Sequence, residues 1–489
     1  MDNKKLQNMR YLFNPSNVAV VGASQNPGKL GFHVMKSLTQ GGYNGEIIPI
    51  NPSAQEIMGH RAFKSLDSYA YDIDLVIVVV PAKFVPHVFR ECANKGVKGI
   101  VLITAGFKEI EDPLGAELHE QIRSIAEDAH TPVIGPNTFG MINFHAGLNS
   151  SFTPEFSRIR KGKVALVSQS GGMSHLMGFL AIREDMGFSK IVGIGNRLNV
   201  DFAEMLEYLS HDPDTSAVAL YVEGIDEARS LLQAARDCTK IKPIVAYKTG
   251  SARVGDMASA SHTGSVAGDY DIYNAAFKQA GIIPVVDSQQ LLDTAKALAH
   301  CPIPSGNGIA ILSGQAGPGM AASDVCEKHG LNIARFTDST QARINELLPP
   351  LALRTNPVDM GPAWYDASAI AGIVEAVLND ENVDAILLYM MFASANADAI
   401  ERMTGLLQQW NQQKPIISCL LSPPGIWDDQ VRDLEQKGAL VNYPTPERAA
   451  LALAGLWKYA NKPQRFNKLN EPNKPNEPNE RIDPMTLID

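Results

Sequence analysis

The sequence predicts an α/β protein built of several doubly wound domains, and three observations carry that prediction. Short β-branched runs alternate with longer amphipathic stretches along most of the 489 residues, the signature of parallel sheets covered by helices on both faces. A chain of this length exceeds what one hydrophobic core can serve, so more than one domain is required. The middle and last parts of the chain also open on one plan. KVALVSQSGG from Lys163 and IAILSGQAGPG from Ile309 are both apolar strands running into a serine- and glycine-bearing turn that opens a helix.

Taken in order, the first block has strand runs at NVAVVG (17–22), EIIPIN (46–51), DLVIVVV (74–80), GIVLIT (99–104) and TPVIG (131–135), and a first domain over 1–149. A second domain, 150–300, continues through KVALVS, KIVGIG, SAVALYVEG, KPIVAYK and GIIPVV. After the proline- and glycine-bearing linker HCPIPSGNG (300–308), a third domain, 301–460, adds AILLYMM and KPIISCL to its opening strand. The tail 461–489 repeats Asn, Glu and Pro with few apolar residues, cannot bury a core, and is expected to be disordered.

Composition narrows the function. Apolar content of 45% and charged content of 20% are those of an ordinary globular protein, and a net charge of −10 argues against a nucleic-acid or anionic-membrane surface. Cys92, Cys238, Cys301, Cys326 and Cys419 stand apart with no CxxC pair and read as reduced thiols. MDNKKLQNMR lacks the apolar core of a signal peptide, and no run reaches the ~18 apolar residues of a membrane span, which places the chain in the cytoplasm. No His, Cys and carboxylate cluster has metal-ligand spacing, and His33 and His175 read as helix-surface residues.

The chemistry begins in the first βα turn. VVGASQNPGKLG sets Gly22, Gly28 and Gly31 after a strand, where backbone without side chains can approach a phosphate at a helix N-terminus, and Ser24 and Lys29 add a donor and a cation. A dinucleotide fingerprint needs GxGxxG, but Ala23 and Ser24 follow Gly22; a Walker A loop needs different spacing and Ser or Thr in place of Leu30. The loop therefore indicates a phosphorylated ligand without saying which. Asn51 and Pro52, Pro81, Thr104 and Asn137 stand at further strand ends, which in an open α/β sheet line one crevice.

VGASxxxGKxG, INP, VVPA, ITAGF, GPN, SQSGG, GN, EG and above all SHTGSVAG, in that order over roughly residues 10–460, resemble the α part of the NDP-forming acyl-CoA synthetases, relatives of succinyl-CoA synthetase. The resemblance implies a CoA-binding Rossmann-like domain, with Gly22, Ala23, Ser24, Gly28, Lys29, Asn51, Pro52, Pro81, Thr104 and Asn137 as CoA-side residues, followed by two flavodoxin-like ligase domains. It also implies a phosphohistidine at His262, which gives its bare surroundings a reason. Imidazole attacking phosphorus needs a clear approach, and a loop that visits two sites needs few bulky anchors. Ser261, Thr263, Ser265 and the Gly264 amide would donate to phosphate oxygens, and Glu223 stands where the family places the acid that holds the ring.

Two helix N-termini would cradle the phosphoryl group, one at Ser170, Gly171 and Gly172 and a second at Gln315, Ala316 and Gly317, where the GQAG sequence departs from the family's form. No segment is left for an ATP-grasp module, so the resemblance places the ADP/ATP site and its Mg on a separate β subunit, in an α2β2 assembly acting on a small carboxylic acid and its CoA thioester. Two other classes stay open at this point. One is a CoA-binding regulatory protein that kept the fold without the chemistry. The other is an NAD-dependent oxidoreductase, disfavoured by the missing GxG and by Asn51-Pro52 in place of a ribose-binding acid.

Overall fold

The computed structural model of the protein describes residues 3–252, 270–410 and 413–461. Within them three mainly parallel sheets are flanked by helices, and each apolar run named above forms a strand. In the first sheet the order is Glu46–Ile50, Asn17–Val21, Leu75–Val78, Gly99–Leu102, Val133–Ile134. The main strands of the second lie as Phe188–Gly193, Lys161–Ser168, Ala217–Val222, Ile244–Lys248, Ile283–Val285. In the third the order is Asn332–Ile333, Gly308–Ser313, Ala385–Met391, Ile416–Leu421, Val441–Asn442, with the short Val358–Asp359 also paired to Gly308–Ser313. Counted along the chain, the main strands of every sheet run 2-1-3-4-5, the doubly wound order whose switch point lies between strands 1 and 3.

These strands are near-continuous apolar runs because both faces of a parallel sheet are covered. Val76, Leu166, Leu220 and Leu387 are all 0% exposed. Lys190 is 0% exposed in the middle of a strand, and its ammonium is matched rather than abandoned. It pairs with Asp212 at 2.6 Å, and Asp212 also accepts the Thr215 hydroxyl.

The segment leading into the second domain joins its sheet. Met141–Asn143 and Leu148–Asn149 form antiparallel strands that extend the second sheet beyond Phe188–Gly193. The physical reason is the sheet edge. Unpaired N–H and C=O groups along Lys190–Val192 are covered by the segment that enters the second domain, and a run as short as Met-Ile-Asn carries no mark of the sheet it will join.

The domains are tied by specific bonds. Leu198 and Asn196 donate backbone N–H groups to the carbonyls of Gly135 and Pro136 at 2.9 Å each. The Asn199 carboxamide continues the first sheet's edge, accepting from Val133 N–H and donating to the Thr131 carbonyl at 2.9 Å each. Between the second and third sheets, the helices Ser288–His300 and Pro446–Ala460 pack together and join both cores into one apolar cluster. Arg448 locks that junction, bonding Asp293 and Glu184 with contacts of 2.7 Å to each. The five cysteines are free, and burial pushes the Cys238 and Cys419 thiols up to about 11 and those of Cys301 and Cys326 to about 12. Among the described residues no helix is long and apolar enough to cross a membrane. The segment 253–269 and the tail from residue 462 lie outside the described residues.

Candidate active site

The switch points of the first two sheets open onto one cleft of about 810 Å³. The first sheet contributes Val79–Pro81 and Ile103–Ala105, and the second contributes Gln169–Gly172 and Glu223. Its floor is the seam between the domains, with Asn137 on one side and Gly195–Arg197 on the other. There the Asn137 amide donates to the Thr104 carbonyl at 2.9 Å, and the Thr104 hydroxyl donates to the Val80 carbonyl at 2.7 Å, so neighbouring strand ends are fixed to one another.

The predicted CoA-side residues divide into wall and mouth. Pro81, Thr104 and Asn137 line the cleft, as does Leu30, the first residue of the helix Leu30–Gln40. Gly22 has φ +96°, and a Cβ on Gly31 would stand 2.0 Å from the Gly22 carbonyl oxygen, so the turn and its helix must approach backbone to backbone. Ala23 is buried, and the Ser24 hydroxyl accepts the Asn26 N–H at 3.0 Å. Asn51 serves the same turn. Its Nδ2 donates to the Ala23 carbonyl at 2.8 Å, and its Oδ1 accepts the N–H groups of Ser53 and Ala54. Gly28, Lys29 and Pro52 are exposed beside the opening.

The second domain's side is an anion cradle. Ser170 caps the 13-residue helix Gly171–Arg183, its hydroxyl accepting the Met173 N–H, which leaves the Gly171 and Gly172 amides without carbonyl partners inside the helix. A Cβ at Gly171 would meet no atom within 4 Å, so nothing in the fold itself demands glycine there. Glu223 follows the strand Ala217–Val222, and its turn is held on two sides. Gln169 Oε1 accepts the N–H groups of Glu223 and Gly224 at 2.6 and 3.0 Å, and Arg197 Nη1 donates to the Gly224 carbonyl. Arg197 also pairs with Asp226 at 2.7 Å and with Asp201 at 3.3 Å. Burial, reinforced by Glu223, pushes the Tyr221 phenol up to about 12.

One assignment changes on meeting the structure. His175, read from sequence as a helix-surface residue, lines the cleft. Its Nδ1 lies 2.8 Å from the Gly171 carbonyl and its Nε2 2.7 Å from the Thr153 hydroxyl, while Phe139, Phe152 and Phe156 surround the ring. No local pattern marks it, because the aromatic wall comes from residues far away in the chain. Gln315, Ala316 and Gly317 stand elsewhere. They do open a helix, Ala316–Lys328, as expected, yet among the described residues the cleft takes no lining from the third domain.

Gln169 and Arg197 are the residues that sequence reasoning passed over, although Gln169 lies inside the quoted SQSGG motif. His262, Ser261, Thr263, Gly264 and Ser265 lie outside the described residues. The chain leaves the strand Ile244–Lys248 toward them at the same sheet end as Glu223, with the Thr249 N–H donating to the Val222 carbonyl at 3.0 Å.

Comparison with known proteins agrees with this division of labour. Residues 16–143 match the family model of a CoA binding domain, and residues 161–298 match that of the succinyl-CoA ligase like flavodoxin domain. The alpha subunit of an ADP-forming acetate–CoA ligase II from Pyrococcus furiosus is 37% identical over 92% of this chain and 97% of its own. A longer acetate–CoA ligase (ADP-forming) from Methanocaldococcus jannaschii is 35% identical over 92% of this chain but only 63% of its own. Among solved structures, an acetyl-coenzyme A synthetase 1 from Ca. Korarchaeum cryptofilum, in complex with phosphate and ADP, superposes with a TM-score of 0.85 at 32% identity, covering 92% of this chain and 97% of that one. The class is thus a chain in which a CoA-binding domain is joined to a succinyl-CoA ligase-like flavodoxin domain. Within that class, the chain belongs to the family of alpha subunits of the ADP-forming acetate–CoA ligases.

Proposed function

We propose that this chain is the α subunit of an ADP-forming acyl-CoA synthetase, interconverting acyl-CoA, phosphate and ADP with a carboxylic acid, CoA and ATP. The observation that carries it is the single cleft in which CoA-side strand ends meet an open helix N-terminus and Glu223. A phosphate oxygen attacks the thioester carbonyl, the C–S bond breaks, and the CoA thiolate takes a proton. A ring nitrogen of His262 then attacks phosphorus and the acid leaves with the bridging oxygen. Finally an ADP oxygen takes the phosphoryl group as the P–N bond breaks.

In this cycle the residues of the chain orient and stabilise. The Gly171 and Gly172 amides and the positive end of their helix face the phosphoryl oxygens, Ser170 fixes that helix start, and Glu223 holds the His262 ring in its reacting tautomer. Ser261, Thr263, Gly264 and Ser265 bind the phosphoryl oxygens, and Gln315, Ala316 and Gly317 form a second, lesser cradle. Pro81, Thr104 and Asn137 with the Gly22–Lys29 turn, Asn51 and Pro52 hold CoA. The nucleotide and its Mg belong to an ATP-grasp β subunit in an α2β2 assembly, and the enzyme works in the cytoplasm. The longer relative supports the partner, since about a third of its length has no counterpart here.

The test incubates the purified chain with a panel of acyl-CoA thioesters and labelled phosphate, with and without an ATP-grasp partner. Base-stable, acid-labile label on the wild-type chain and none on His262→Asn is the expected result. CoA binding without label under every condition would leave a CoA-binding regulatory protein instead.

A further inference from the structure

Gln169 is 7% exposed, lines the cleft and immediately precedes the helix cap Ser170. Two backbone N–H groups, of Glu223 and Gly224, point at one end of its carboxamide, so that end is the oxygen and the other is the NH2 group. This fixes the side chain's orientation without reference to any ligand. Among the described residues Nε2 then meets no acceptor. A buried donor left unmet is costly, so a fold that fixes this carboxamide in the wall of a cleft it shares with an open helix N-terminus implies an acceptor that arrives with the substrate.

We propose that Gln169 Nε2 donates to an oxygen of the anion held at the Gly171–Gly172 helix start, and so ties the anion to the acid Glu223 through one rigid carboxamide. The inference rests on the ligase function proposed above for its chemistry. Two species would present that oxygen in the cleft, inorganic phosphate (with the phosphoryl group derived from it) and the carboxylate of the product acid. One side chain thus does two things. Its oxygen holds the Glu223–Gly224 turn in place, and its nitrogen reports that the anion has entered.

The test separates the two ends of the carboxamide. Gln169→Glu keeps two oxygens able to accept from Glu223 and Gly224 but replaces the donor by an anion; Gln169→Met removes both functions. Equilibrium binding of inorganic phosphate, and separately of acetate, is measured on the full chain with CoA present, alongside label formation from acetyl-CoA. Expected is a phosphate affinity weakened ~30-fold or more in Gln169→Glu, with CoA affinity unchanged and partial recovery below about pH 5, where the introduced carboxyl regains a proton to donate. If acetate binding falls and phosphate binding does not, the acceptor is the acid's carboxylate. Wild-type affinity of Gln169→Glu for both anions, with loss only in Gln169→Met, would reduce Gln169 to a structural clamp and overturn the proposal, as would a wild-type chain that binds neither anion. A chain that binds phosphate through Gln169 yet never takes label would keep this assignment and sink the ligase reading instead.

Discussion

The second and third domains are one frame filled in two ways. In both, strand 1 ends in a serine whose hydroxyl donates to a carbonyl two residues on, Ser168 to Ser170 and Ser313 to Gln315. In both, that serine sits in register with a tyrosine on strand 3, Tyr221 or Tyr389, whose carbonyl accepts the next N–H, that of Gln169 or Gly314. Both turns open helices of 13 residues. The contents then part. Gln169 corresponds to Gly314, Gly171 to Ala316, Glu223 to Met391, and the segment after strand 4 carries SHTGS in one domain and SPPGIW in the other. A switch point supplies the place for chemistry; under the function proposed above, a carboxamide, an acid and an imidazole would supply the chemistry itself.

The comparison breaks first, and most completely, at the histidine. His262→Asn is expected to lower label formation on the order of 10³-fold or more while leaving CoA binding intact, since it removes the proposed nucleophile. Label persisting on the variant would show that the two frames do not differ in the way described. Next is the acid. Glu223→Gln keeps the size and loses the charge proposed to hold the imidazole, and phosphoryl transfer is expected to fall roughly 10²-fold, whereas Met391→Gln at the equivalent place leaves it within about 2-fold.

A third test asks whether the two copies act as one body. His300 closes the helix Ser288–His300 at their junction, and burial, assisted by Lys163 and Lys296, depresses its pKa to about 4. The folded value lies below the unfolded one of ~6.5, so the imidazole contributes stability above that pH and loses it as pH falls toward 4, a loss on the order of 1–3 kcal/mol. Urea melts at pH 7 and 4.5 should therefore diverge more in wild type than in His300→Gln. His119, buried in the first domain and depressed to about 4 for the same reason, adds a background that the variant does not remove.

The smallest effects sharpen the cradles. Gly171→Ala writes the third domain's Ala316 into the second; with no atom within 4 Å of the new Cβ the fold should tolerate it, and the phosphate KM should rise by a few-fold, on the order of 1 kcal/mol. Gln315→Ala, in the lesser cradle, should move label formation less than that. A larger effect from Gln315 than from Gly171 would reverse the ranking of the two domains.

Much of this architecture was legible because its signals are local. A buried parallel strand is an apolar run whatever lies beside it, so SAVALYVEG and AILLYMM declare themselves, and a serine or glycine after such a run announces a helix start. The short strands Met141–Asn143, Asn332–Ile333 and Val441–Asn442 declare nothing, because pairing with a longer neighbour makes them strands. The same holds in the cleft. Ser170, Gly171, Gly172 and Glu223 could be named from their places in the motif, whereas His175 looked like a surface residue until Phe139, Phe152 and Phe156 closed around it.

The sequence by itself determined the class of each segment: which runs enter sheets and which turns free their amides. Those properties follow from side-chain chemistry within a few residues. Only the tertiary structure decided that Gln169 would face the turn at Glu223, that Asn51 would brace the Gly22–Ser24 turn, and that the first two switch points would share a cleft which, among the described residues, takes no lining from the third. Those outcomes depend on distances between groups dozens of residues apart, and packing, not local preference, sets such distances.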